Sequence, residues 1–175
     1  MNIDKLFSRG RERGIEDMEI YMIKNSSTKF KIYQGELENY NISKEEALSL
    51  RGIYEGRMGY SYTEKLTEDS IDELIDNLIQ YAQCNEKEYV EKLSPPKEID
   101  MKNKVSNLDK YGEDEKIAFL KSIEKKAYSA DERIKLVEGC NYEEYDNTEY
   151  IRNTKGLELK ESYSVGIISL SIVAK

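Results

Sequence analysis

The stretch STKFKIYQGELENYNISKEEALSLRGIYEGRMGYSYT, residues 27–63, decides the fold, because it alternates in the manner of several short strands. Phe30 and Ile32 alternate with Lys29 and Lys31, and Gln34-Gly35 closes that run with turn chemistry before Leu37 to Ile42 begins another. A third run, Ala47 to Tyr54, sets Ala47, Ser49, Arg51 and Ile53 against Leu48, Leu50, Gly52 and Tyr54. Gly56 then turns the chain into Met58 to Tyr62. Period-two alternation broken by Gly, Asn and Lys-Glu clusters is the pattern of an antiparallel sheet with one face in water.

Outward from this meander, residues 3–13 predict a short amphipathic helix, with Ile3, Leu6 and Phe7 on one side and Gly10 and Gly14 weakening its end. Met18, Ile20 and Met22 alternate with Glu19 and Tyr21 as a first strand, and Asn25-Ser26-Ser27 leads into the meander. Downstream, Ile71, Leu74, Ile75, Leu78, Ile79 and Ala82 paint one apolar stripe on a helix from about Glu68 to Gln83. Thr67 is its expected N-cap, and Leu66 can staple onto Ile71. That stripe is expected to close over the dry face of the meander.

Residues 85–112 lose all periodicity around Pro95-Pro96 and predict a long surface connection, with Tyr89, Val90 and Leu93 as anchors. A second long helix follows over 113–130, its narrower stripe made by Ile117, Leu120, Ile123, Glu124 and Ala127, with Phe119 to one side. Strands return over 134–142, then Glu143 to Asn147 reads as a turn, Thr148 to Asn153 as strand, and Lys155-Gly156 as a second turn. Leu157 to Ser162 precedes the most apolar strand, Val165 to Ala174. So abrupt an apolar end is expected of a cut between domains or through one. The expected fold class is α+β, a mainly antiparallel sheet with two to three packed helices. Sub-lobes 1–84 and 113–175 would be joined by the connection.

Composition narrows the chemistry. The 35 acidic residues outnumber the 27 basic ones, and a net charge of −8 with no basic patch disfavours direct nucleic-acid binding. No apolar run approaches the roughly 20 residues needed to cross a bilayer, and Met1 to Arg9 has no signal-peptide pattern, so a cytoplasmic protein without membrane contact is expected. Cys84 and Cys140 are expected to be free thiols. The chain contains no histidine, which excludes a His-ligated zinc, a Ser-His-Asp or Cys-His nucleophile, and an imidazole acid or base within these residues.

Gly52, Gly56 and Gly59 could suggest a phosphate-cradling loop, but Tyr60 to Tyr62 continues a strand where a helix should begin, so turn glycines are the simpler account. Glu143, Glu144, Asp146 and Glu149 could hold a hard cation, yet lack EF-hand spacing and suit a solvated hairpin tip. Asp69, Asp72, Glu73 and Asp76 suit the wet face of a helix. The tyrosines Tyr142, Tyr145 and Tyr150, with Tyr54, Tyr60 and Tyr62, could line a peptide-binding surface or simply pack as strand formers. A sheet edge accepting an extended peptide needs no catalytic group. No residue is assigned a catalytic, cofactor-binding or metal-binding role.

Several segments together carry a family resemblance. The N-terminal helix, the strand Met18 to Ile23, the run Lys31 to Tyr40, Leu50 to Thr63 with the helix after Leu66-Thr67, and Asp131 to Gly139 through Tyr150 to Leu157 resemble the N-terminal domain of the TldD/PmbA family. The resemblance spans nearly the whole chain and rests on turn glycines and apolar positions. Glu36 to Tyr62 is closer to the PmbA (TldE) type. It implies a longer protein with a mostly β C-terminal domain, belonging to a cytoplasmic zinc metalloprotease assembly that processes peptides. It further implies a partner subunit of TldD/PmbA type, in a homo- or heterodimer. Zinc would be held on a His-Glu-x-x-x-His helix of the TldD-type subunit, from downstream residues or from the partner. The alternative implied is a non-catalytic PmbA-type partner, or a protein-binding modulator of DNA gyrase.

Overall fold

The computed structural model describes residues 1–85, 92–96 and 106–175. Helix α1 (Ile3–Glu12) is followed by β1 (Ile15–Tyr33), β2 (Glu36–Tyr54), β3 (Arg57–Thr63) and α2 (Ser70–Cys84). After a single 3-10 turn at Leu108–Lys110 come α3 (Glu113–Ala130), β4 (Ile134–Asn153) and β5 (Glu158–Ala174). The five strands form one antiparallel sheet in the order β3-β2-β1-β4-β5, which with the three helices makes the α+β fold expected.

Helix positions agree with the apolar periodicity, and strand lengths do not. β1 runs straight through Asn25-Ser26-Ser27, β2 through Lys44-Glu45-Glu46, β4 through the predicted turn at Glu143 to Asn147, and β5 through Ser162 to Ser164. Apart from the buried Glu144, the polar clusters that read as turns are exposed or half-buried rungs of long strands, where cross-strand pairs such as Lys24 to Glu46 at 3.1 Å and Lys29 to Glu143 at 3.5 Å form. True reversals occur where the backbone demands positive φ: Gln34-Gly35 (φ 52° and 78°) and Glu55-Gly56 (φ 48° and 74°) both fit the I′ hairpin turn, and Gly156 (φ 95°) serves β4 to β5.

The chain divides into two compact units, residues 1–24, 45–102 and 148–161 in one, and 25–44, 103–147 and 162–175 in the other. They interleave along the sequence because β1, β2, β4 and β5 each pass from one unit to the other, so a division at the connection 85–112 does not separate them.

In the first unit, Ile71, Leu74, Ile75 and Leu78 of α2 bury against Met18 and Ile20 of β1 and Leu48 and Leu50 of β2, with Leu6 and Phe7 of α1. The stripe therefore closes over strands, but the strands it meets include the first one. Phe30 and Ile32 belong to the other core. Helix α2 also begins at Ser70, two residues after the expected start, because Thr67 turns to meet Ser70 Oγ at 3.0 Å and provides no side-chain cap to the backbone. Asp72 and Asp76, expected on a purely wet face, pair with Arg9 (3.1 Å) and Arg13 (2.5 Å) of α1.

Between β3 and α2 there is almost no space. Ser61 donates to the Leu74 carbonyl at 2.8 Å, and a Cβ on Gly59 would lie 2.3 Å from the Leu78 carbonyl oxygen. Gly59 pairs across the strands with Gly52, whose own Cβ would come 2.8 Å from the Asp17 carbonyl oxygen. Of the three glycines expected in turns, only Gly56 is in one; Gly52 and Gly59 are strand residues where backbone presses on backbone.

Leu93 is buried, as its anchoring role requires, and Ser94 accepts from Asn153 at 2.9 Å. Tyr89 and Val90 lie outside the described residues.

Candidate functional site

Among the described residues, each unit holds a cluster of buried polar groups. In the first, Glu19 of β1 accepts from Arg51 Nε at 2.9 Å and from Asn153 Nδ2 at 3.0 Å. The Asn153 side-chain oxygen in turn accepts from the backbone of Lys155 and Leu157, both at 3.0 Å, shaping the turn between β4 and β5. Every polar atom of Asn153 is thus committed to its neighbours. This network fixes three strand segments and the strap at Ser94, and Asn153 and Leu157 also line a polar cleft of about 420 Å³ with Arg11, Arg152 and Glu158.

In the second unit the cluster lies beside an apolar opening. Tyr142 and Glu144 are i, i+2 neighbours on β4, so both face α3, where Lys116 sits one turn from the helix start. Lys116 Nζ lies 2.5 Å from Glu144 Oε2, both side chains being almost fully buried, and Tyr142 donates its hydroxyl to the same oxygen at 2.6 Å. Burial first, then the hydrogen bond to Glu144, pushes the Tyr142 hydroxyl well above its ordinary pKa, so it stays protonated and donates. Phe30 stacks between Tyr142 and Tyr40, at ring distances of 5.5 and 5.2 Å. Next to this cluster opens a cleft of about 460 Å³ lined by Leu108, Tyr111, Phe119, Tyr142 and Ile168, with Glu115 and Lys116 at its polar side. The walls are apolar. Phe119, which sequence periodicity set to one side of α3, is one of them.

These groups can bind and orient, but they do not form a proton-transfer or nucleophilic pair. The Lys116 ammonium is engaged by Glu144, and the Tyr142 hydroxyl by the same carboxylate. Cys140 is buried, and desolvation followed by the nearby Glu124 raises its thiol pKa, the opposite of what activates a nucleophile. Cys84 is exposed. A thiol reagent is therefore expected to label Cys84 within minutes in native protein and Cys140 only on unfolding; stoichiometric native labelling at Cys140, read by peptide mass, would contradict its burial.

The acidic group considered for a cation is split by the strand. Glu143 faces Lys29 and Tyr145, whereas Glu144 faces Lys116 on the other side, and neither lies at a hairpin tip. Among the described residues no three His, Cys, Asp or Glu side chains gather to hold a metal ion, and a zinc site of the His-rich peptidase kind does not fit a chain without histidine. Among the described residues no helix is long and apolar enough to cross a membrane. Of the tyrosines weighed for binding, Tyr142 is core, Tyr54 packs against the first unit's core, and Tyr60 and Tyr62 are exposed on β3. The Lys116 and Glu144 pairing was not legible in sequence, because 28 residues separate its members.

Comparison with known proteins places this geometry. Residues 18–82 match a family model described as PmbA/TldA metallopeptidase domain 1, and residues 106–175 match one described as PmbA/TldA metallopeptidase central domain. No curated protein matches the sequence. A Thermotoga maritima protein named as a modulator of a DNA gyrase superposes with a TM-score of 0.84 at 20% identity, over 99% of this chain and 39% of its own. TldE from Thermococcus kodakarensis gives a TM-score of 0.81 at 18% identity, over 99% and 39%. A Bacteroides thetaiotaomicron protein, also named for modulation of DNA gyrase, gives 0.79 at 21% identity, over 98% and 40%. At these identities the likeness shows a common fold, and this chain spans about two fifths of the length of each.

Proposed function

We propose, from the premise that this chain belongs to the PmbA/TldD metallopeptidase family, that it is the N-terminal part of a longer subunit in a zinc-dependent, cytoplasmic assembly that processes peptides. Its role is to shape the substrate cleft and the contact with a related partner subunit, while the metal and the groups that activate water lie outside these 175 residues. One observation carries this: two consecutive metallopeptidase domain models together account for most of a chain that has no histidine with which to hold zinc. The alternative role, a non-catalytic PmbA-type partner or a protein-binding modulator of DNA gyrase, uses the same scaffold and differs in whether the longer chain carries a metal-binding helix.

The two roles separate in a metal and activity assay. The 175-residue protein is expected to hold less than about 0.1 zinc per chain and to cleave no peptide, and the full-length protein with its partner is expected to cleave unfolded peptides in a chelator-sensitive way. Chelator-sensitive cleavage by the 175-residue protein alone would overturn the assignment, and a full-length protein inert with every related subunit would favour the alternative.

A further inference from the structure

The strands of the second unit end in two open edges of unlike construction. Along β2, the outer stretch Glu36 to Lys44 sets Leu37, Tyr40 and Ile42 among Glu36, Glu38 and Lys44, the kind of charge that keeps an unpaired edge in water. Along β5, the last strand of the sheet, residues 165–172 contain no charge at all, and Val165, Ile167, Ile168, Leu170 and Ile172 are each 38 to 47% exposed. These side chains divide between both faces. Ile168 lines the cleft with Leu108, and a Cβ on Gly166 would touch Leu108 too, whereas Ser169 on the opposite face meets Asn141 at 3.3 Å. A strand left at a solvated edge is apolar on one face at most; one apolar on both reads as the interior of a larger sheet.

We propose that β5 is an interior strand of the full-length protein, and that polypeptide following Lys175 pairs along its open edge and covers its apolar side chains on both faces. One observation chooses this occupant: the superposable structures are about two and a half times as long as this chain. A second copy paired edge to edge would satisfy the backbone of β5 yet leave both its apolar faces in water. The cleft beside Ile168 is roomy enough to receive a large apolar side chain from the added strand or its cover. This inference rests on the chain being the N-terminal part of a longer protein.

Amide hydrogen exchange on the 175-residue protein and on the full-length protein tests it. Outward-pointing amides of 165–172 are expected to exchange at least ~100-fold more slowly in the longer protein. Ile167→Lys is expected to leave the melting temperature of the short protein within about 2 °C and to lower that of the long one by more than about 5 °C. Equal exchange of β5 in both proteins overturns the inference while leaving the N-terminal assignment intact. A reading frame that stops after Lys175 overturns both. A 175-residue protein that is dimeric at micromolar concentration, with β5 already protected, also overturns it and assigns the edge to a second copy.

Discussion

Gly59→Ala is expected to cost about 1–2 kcal/mol of folding stability, despite adding only one methyl group. The added carbon would stand 2.3 Å from the Leu78 carbonyl oxygen and under 3 Å from Leu78 Cδ2 and Cγ, so α2 itself must retreat from β3. That retreat loosens Leu74 and Leu78 in the core and stretches the 2.8 Å hydrogen bond from Ser61 to Leu74. Overpacking of this kind costs roughly 1–3 kcal/mol or more, against about 0.5–1 kcal/mol gained from the lower entropy of the unfolded alanine chain. The loss dominates. Gly139→Ala is the control, since its new carbon would crowd Lys31 Cε, the far end of a flexible side chain, and otherwise make ordinary contact with Asn141, so the change should be near neutral. Urea midpoints of the two variants check the contrast. Equal midpoints would mean that α2 is not seated on β3 as described.

The second large effect is expected from the buried ion pair. Lys116→Met should destabilise by about 3–5 kcal/mol, because Glu144 would keep a buried charge with only the Tyr142 hydroxyl to answer it. Replacing all three polar groups, as Lys116→Met, Glu144→Leu and Tyr142→Phe together, should recover most of that loss, since no orphaned group remains. Tyr142 also gives the cluster a pH signature. Its pKa is raised in the folded protein, so folding favours the neutral phenol: the contribution is whole below the unfolded value of about 10 and is lost as pH rises through the folded value. Stability should therefore fall above about pH 10, and less steeply in Tyr142→Phe. Denaturant titrations at pH 8 and pH 10.5 read both effects. A cost below about 1 kcal/mol for Lys116→Met would show the pair to be solvated and the cleft beside it open to water.

Much of the architecture was visible in residue order alone. The 3.6-residue periodicity of Ile71 to Ala82 and of Ile117 to Ala127 placed α2 and α3 to within about two residues, because a helix buries a stripe whose spacing is fixed by local geometry. Gln34-Gly35 and Gly56 marked two turns by their chemistry, and both reversals carry the positive φ that such residues allow. Strand length was misjudged for a physical reason. Lys44-Glu45-Glu46 and Glu143 to Asn147 carry the composition of turns, and only the neighbouring strand, by supplying hydrogen bonds and opposite charges, keeps them extended.

The buried clusters lay further from view. Lys116 and Glu144, or Glu19 and Asn153, look like ordinary surface residues until the sheet brings them together across 28 and 134 positions of sequence. Likewise the apolar run of β5 is visible as letters, but its standing as an uncharged edge follows from the strand order.

The sequence by itself determined the helices, the tight turns, the absence of histidine and the membership in a metallopeptidase family, since each is written in local spacing, backbone preference or composition. Only the tertiary structure decided how long the strands are, which glycines are pressed by a helix, which charges are buried and which edge is left open. Those properties depend on what lies across the sheet or under a helix, and neighbours in space are not neighbours in the chain.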